Sequence, residues 1–248
     1  MSVFSGSTVL VTGSTSGIGL ALAEKFLQAG NTVIVTGRRA ERLEEIKLKY
    51  PQIVTIISDV SKEDSRVQLF ETVTKQFPNL NILVNNAGIQ REVALDGTAS
   101  EDWKQTREEI TTNLDAPIHL CLLFVNHLKE RENAAIINVT SGLAFVPKAN
   151  VPVYCATKAA LHSFTLSLRY QLSKTSVKVI EVIPPAVQTD LGGPGKHTFG
   201  VPLQEYIDAT FAALLNGDIE TSYHISAKTS KASRDDLDRI FSNLNPPL

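Results

Sequence analysis

Cysteine is nearly absent: only Cys121 and Cys155 occur in 248 residues. Both fall in helix-like stretches without metal-ligand spacing, so neither a disulfide scaffold nor a metal site is expected, and a reducing, cytoplasmic setting fits. Long apolar runs are missing too. The most apolar helical stretch, PIHLCLLFVNHL at 117–128, holds two histidines and falls short of the roughly 20 residues a bilayer span needs. A strand-like run begins by residue 7, which leaves no room for a secretory leader. No charge sign dominates: 24 Lys and Arg face 26 Asp and Glu, for a net charge of −2. Nothing there favours a nucleic-acid backbone or membrane insertion as a partner. Internal repeats, low-complexity linkers and composition breaks are also lacking, so one domain over 1–248 is expected.

What is present alternates regularly. Short β-branched runs (TVLVTG from 8, TVIVTG from 32, VTIIS from 54, LNILVNNAG from 80, AAIINVTS from 134, SVKVIEVIPP from 176) are separated by stretches of helical period. Those stretches cover 17–30, 40–50, 62–77, roughly 100–130, 153–174 and 203–216. The polar end, 217–248, has room for a last strand and a short helix. Strands each followed by a helix call for a mostly parallel sheet covered on both faces, hence an α/β, doubly wound, Rossmann-type fold.

TGSTSGIG at 12–19 places Gly13, Gly17 and Gly19 between the first strand and the first helix. Glycine permits a tight turn and close approach to a pyrophosphate, while the helix N-terminus offers free N–H groups and partial positive charge. The second strand ends in Gly37, Arg38 and Arg39, where a carboxylate would select NAD by binding the ribose 2′-hydroxyl. A missing acid plus a guanidinium suits a 2′-phosphate, so Arg38 points to NADP(H) in preference to NAD(H). Arg39 is suited to pairing with Glu41, Glu44 or Glu45 on the helix that follows.

Two Tyr-x3-Lys pairs occur, Tyr154/Lys158 and Tyr170/Lys174, each with both side chains on one helix face. In open α/β sheets ligands lie beyond the carboxyl ends of the strands. The first pair begins a helix leaving that edge; the second lies sixteen residues further on, about 24 Å away along the helix. Only Tyr154 and Lys158 have access to a cofactor there.

TGSTSGIG, NNAG at 85–88, NVTS at 138–141 and YCATK at 154–158, in this order and spacing from about residue 6 to 191, resemble the compact short-chain dehydrogenases/reductases. SGLAFVP, the 154–172 segment and VIPPAVQTDL look most like the Dlt-type oxidoreductases of that family, a subgroup associated with D-alanine esterification of teichoic acids. The resemblance implies a small-molecule carbonyl or alcohol as substrate. It makes Tyr154 the acid/base, with Lys158, Ser141 and Asn113 beside it. It implies cofactor contacts at Gly13, Ser16, Gly17, Ile18, Gly19, Asp59, Val60, Asn86, Ala87, Gly88, Tyr154, Lys158, Val187 and Thr189. A free phenol titrates at about 10. A lysine ammonium about 4 Å away contributes roughly 4 kcal/mol at an effective dielectric of about 20, enough to lower that by about three units before desolvation opposes it. Where the family has Pro-Gly after the sixth strand, this chain has Pro184 and Pro185, so the path beside the nicotinamide is expected to differ. A homodimer or homotetramer through the helices at about 100–130 and 153–174 is likewise implied.

Two segments, 142–152 and 192–202, are placed to close over the substrate. The second, rich in Gly and Pro, suits a lid around 190–202. Leu143, Phe145, Val146 and Phe199 suit an apolar wall; Gln90, Arg91, Lys148, Lys196 and His197 suit an acidic substrate or plain solvation. The competing reading is a dinucleotide-binding sensor or scaffold without turnover.

Overall fold

The structure is a computed structural model that describes residues 4–97 and 102–246. The start of the helical region expected from about residue 100 lies outside the described residues. Strands β1 (Thr8–Val11), β2 (Thr32–Gly37), β3 (Val54–Ile57), β4 (Leu80–Asn85), β5 (Ala135–Val139), β6 (Lys178–Ile183) and β7 (Glu220–Ser222) form one sheet. Their order is β3-β2-β1-β4-β5-β6-β7, and every pairing is parallel. The order reverses between β1 and β4, where a doubly wound sheet opens a crevice for a ligand.

Buried on both faces, the central strands can be apolar at every position, and their side chains divide by alternation. Val9, Val11, Val35, Val84 and Ile137 face one core, closed by α1 (Gly17–Gln28), α2 (Ala40–Lys49) and α7 (Leu203–Asn216) through Phe26, Leu43 and Phe211. Leu10, Ile34, Leu83 and Ile136 face the other. That side is closed by α3 (Glu63–Gln76), α5 (Ala116–Lys129) and α6 (Pro152–Gln171).

The helix expected across 100–130 is interrupted. α4 (Trp103–Ile110) gives way to a π-helical turn at Thr111–Asp115 before α5 begins. Pro117 sits in the first turn of α5, where its missing N–H costs little. α6 stops at Gln171, short of Lys174, and Tyr170 is 84% exposed. After β7, the end of the chain forms α8 (Ile225–Thr229) and also α9 (Arg234–Leu244), more helix than its polar composition suggested.

Candidate active site

The carboxyl ends of β1, β2, β4, β5 and β6 bring the predicted residues to one edge of the sheet. After β1 the chain turns through Gly13 at φ +62°; a Cβ there would stand 2.5 Å from the Ala87 Cα. A Cβ on Gly19 would collide with the Asn86 amide. The glycine loop and the 86–88 segment therefore interlock, and the Thr12 hydroxyl fixes them by accepting from the N–H groups of Asn86 (3.1 Å) and Ala87 (3.2 Å). The Asn86 side chain returns 3.0 Å bonds to the carbonyls of Thr12 and Gly13. Ser16 precedes α1 without capping it by its side chain. The N–H groups of Gly17, Ile18 and Gly19 thus lie in an unblocked first helical turn, suited to a phosphate.

Arg38 and Arg39 part ways. The Arg38 guanidinium bonds Glu108 on α4 at 2.8 Å, and Arg91 holds the other oxygen of Glu108 at 2.6 Å. Arg39, expected on the helix carboxylates, instead donates to the Thr15 hydroxyl at 2.6 Å and the Ser16 hydroxyl at 3.0 Å in the glycine loop. Beyond β3, Asp59 accepts from Ser61 N (3.1 Å) and Oγ (2.7 Å), and Val60 is buried, its carbonyl held by Arg66 at 2.6 Å. After β6, Pro184 accepts from Gly142 N at 2.8 Å, and past Pro185 the chain bridges Val187 to Val201. Thr189 then faces Gly17.

Ser141, Tyr154, Lys158 and Asn113 are all buried. Ser141 precedes a 3-10 turn (Gly142–Ala144), and its hydroxyl accepts from Leu143 N at 3.1 Å. Tyr154, in the first turn of α6, packs with Val151, Cys155, Leu143 and Leu191. Lys158 donates to the Val139 carbonyl at 2.8 Å, with Nζ 5.7 Å from the centre of the Tyr154 ring. Asn113 sits in the π-helical turn. Its amide accepts from Ile89 N (2.9 Å) and donates to Ile89 O (2.8 Å) and to Thr157 Oγ1 (3.3 Å). Thr157 passes the tie on to the Tyr154 carbonyl at 2.7 Å. A Cβ on Gly88 would lie 3.5 Å from Asn113 Oδ1 and 3.7 Å from Lys158 Nζ, so this glycine borders both groups.

The electrostatics correct one expectation. Burial pushes the Tyr154 phenol well above its usual range, and the hydrogen-bonding hydroxyl of Ser141 only partly opposes this. Burial also brings Lys158 down to about 8. The expected three-unit drop took a lysine charge about 4 Å away at an effective dielectric of about 20, before desolvation. Here both groups are desolvated, and the ammonium is turned toward a backbone carbonyl.

Around the opening, Lys196 pairs with Glu92 at 3.3 Å, while Lys148 lies over the Phe199 ring at 5.9 Å and His197 lies beside the same ring. Gln90 lies against Gly192. Val146 is buried, and Phe145 is turned against His162. The sequence reading overlooked Asn245, which follows α9: it accepts from Ala149 N at 2.6 Å and donates to Pro147 O at 3.0 Å. An isolated asparagine about a hundred residues away gives no sequence signal for such a clasp. Thr12 and Thr157 lie inside the recognised motifs TGSTSGIG and YCATK, but no spacing rule of their own marked them as site residues.

A parallel sheet with a glycine cradle at its switch point, facing a buried Ser, Tyr and Lys, defines a dinucleotide-type oxidoreductase framework. The chain belongs to the short chain dehydrogenase family, whose sequence profile matches residues 7–198. DltE, an uncharacterized oxidoreductase of Bacillus subtilis (strain 168), is 46% identical over 244 residues, covering 96% of each chain. The NADP-dependent 3-hydroxy acid dehydrogenase YdfG of Escherichia coli (strain K12) is 36% identical over 181 residues, 72% of each. A short chain dehydrogenase from Burkholderia cenocepacia J2315, solved in complex with NADP, superposes with a TM-score of 0.84 at 25% identity over the full length of both chains. This chain is a short-chain oxidoreductase of the Dlt-type subgroup.

Proposed function

We propose that the protein interconverts a carbonyl and a secondary alcohol with NADP(H), using Tyr154 as proton donor and acceptor. The observation that carries this is the convergence of Ser141, Tyr154, Lys158 and Asn113 beside the glycine cradle. A bound nicotinamide supplies or accepts the hydride at the substrate carbon. Tyr154, held protonated by burial, gives its proton to the substrate oxygen in reduction and takes it back in oxidation. Ser141 orients that oxygen and the phenol together. Lys158 would bond the nicotinamide ribose of a bound cofactor, and it places positive charge near the developing phenolate. Asn113, through Thr157, holds the helix turn that carries Tyr154, and through Ile89 ties it to the segment after β4.

Gly13, Ser16, Gly17, Ile18 and Gly19 would hold the pyrophosphate, Asp59 and Val60 the adenine, and Asn86, Ala87 and Gly88 the adenosine ribose. Val187 and Thr189 would meet the nicotinamide, and Arg39 on the glycine loop, joined by the Arg38 expected from sequence, would take the 2′-phosphate. The interlocking of the glycine loop with 86–88, where added Cβ atoms at Gly13 and Gly19 would strike Ala87 and Asn86, supports the pyrophosphate and ribose part of this set. The NADP and 3-hydroxy acid chemistry named for the relatives supports the cofactor and leaves the substrate a small hydroxy or oxo compound. Residues 190–202 act as the lid, and the setting is the cytoplasm.

The test is a panel of ketones, oxo acids and alcohols followed at 340 nm with NADPH or NADP+. Tyr154→Phe should lower turnover at least about a hundredfold, the usual worth of a placed acid, while NADPH still binds. Unchanged turnover in this variant removes the proton-transfer role. Tight NADPH binding with no turnover on any compound favours the sensor reading instead.

A further inference from the structure

Behind the segment that carries Ser141 lies a carboxylate–imidazole pair, its histidine half-buried, for which the reaction above has no use. Glu181 on β6 is fully buried. Its two oxygens face Nδ1 of His162 at 3.0 and 2.9 Å, and one of them also accepts the Thr140 hydroxyl at 2.7 Å. His162 lies one turn beyond Lys158 on α6, and its ring meets that of Phe145 with centroids 4.7 Å apart. One carboxylate thus joins the chain after β5, the middle of β6 and the helix that carries Tyr154. Thr140 and Phe145 bracket Ser141, so both ends of this turn are held from beneath. Removing His162 would leave the Glu181 carboxylate unpaired in the interior, a strongly unfavourable change, so the pair holds its neighbours in place.

We propose that the His162–Glu181 pair is a positioning element that braces residues 140–146 and so keeps the Ser141 hydroxyl aimed at the Tyr154 phenol. The inference rests on the oxidoreductase reading for its catalytic consequence only. His162 acts through Glu181, Thr140 and Phe145. The charged groups that face it are Glu181 from β6, Glu220 from β7 and Arg169 from its own helix. Its hydrogen bond to Glu181 is the largest influence and raises its pKa. The brace is therefore at full strength below the ordinary histidine value of about 6.5 and loosens as pH rises through the higher folded value.

The turn has backbone bonds whose opening can be read directly: Thr140 N to Val182 O and Gly142 N to Pro184 O, both 2.8 Å, and Ala144 N to Ser141 O at 3.0 Å. Hydrogen–deuterium exchange over 140–147, corrected for intrinsic rates, is measured across pH 6–9 for wild type, His162→Gln and Thr140→Val. Thr140→Val cuts the link from the other side and leaves the ion pair intact, so it serves if His162→Gln does not fold. At pH 6 both variants should exchange about tenfold faster than wild type. Wild-type exchange should rise with pH, whereas that of His162→Gln should stay flat. On a carbonyl that wild type reduces, kcat of both variants should fall about tenfold with NADPH affinity unchanged. Wild-type exchange rates in the folded variants, or an unaltered kcat, overturn the proposal. If wild type itself reduces nothing, the oxidoreductase reading fails, and the exchange data alone decide whether the brace exists.

Discussion

Lys158 is the residue whose protonation the site makes most consequential. Burial leaves it titrating at about 8 and pushes the neighbouring phenol upward, so the phenol stays protonated across the working range. In wild type the loosening of the His162 brace adds to any fall in rate with pH, so the lysine's share is the inflection near pH 8 that a Lys158 variant loses. Reduction at saturating NADPH should fall as pH rises, with an inflection near pH 8 where the positive charge that favours the phenolate is lost. Lys158→Met should be slow throughout and lack this inflection; stopped-flow pH profiles of the two proteins check it. The arginines make a second residue-scale case. Side by side in the sequence, they are separated only by where their side chains reach, which spacing does not encode. Arg38 is engaged by Glu108, whereas Arg39 already lies on the glycine-loop hydroxyls. Arg39→Ala should weaken NADPH about tenfold or more, the worth of one charge-assisted phosphate contact, and NADH little. Arg38→Ala should have the smaller effect. Fluorescence titration of both cofactors checks the ranking, and equal losses for NADPH and NADH would remove the 2′-phosphate assignment.

Among the elements, strands were the most legible, because a parallel strand covered on both faces reads as an unbroken apolar run, as TVLV and NILV do. The interruption at Thr111–Asp115 was not. No Gly or Pro marks those five residues, and Pro117 lies beyond them in a position where helices accept it. The widened turn is set by tertiary ties, Asn113 to Ile89 and Thr157, which no local pattern announces. The clasp after α9 is invisible to sequence for the same reason. Asn245→Ala removes the bonds to Ala149 N and Pro147 O. It should cost about 1 kcal/mol in overall stability and loosen the 147–149 stretch, where Pro147 and Ala149 are exposed. Limited trypsinolysis should then cut faster after Lys148, while the KM for the carbonyl rises more than kcat falls. Unchanged cleavage at Lys148 would mean the stretch is held by other contacts.

At the scale of the whole molecule, the doubly wound topology was readable from the alternation of elements, but the strand order with its reversal between β1 and β4 was not, since the same alternation also suits the order 2-1-3-4-5. Electrostatic tuning was not readable, since the effect of Lys158 on Tyr154 depends on how deeply both are buried, and burial is a property of the assembled fold. Association belongs to this scale too. α4, α5 and α6 leave large apolar side chains uncovered, with Trp103 and Leu122 both 65% exposed and Leu166 43% exposed. Leu122 and Leu166 project from α5 and α6, which cover the same face of the sheet, as expected if that face packs against a second copy. Such a contact would also steady α6, the helix that carries Tyr154 and Lys158, so assembly and turnover should be linked. Leu122→Glu sets a charge in that surface without disturbing the core. Sedimentation velocity should show the variant shifted toward monomer, with a dissociation constant raised about tenfold or more, and circular dichroism should show an unchanged fold. Wild type sedimenting as a monomer at micromolar concentration, or Leu122→Glu associating as wild type does, would assign these helices to the solvent rather than to a partner.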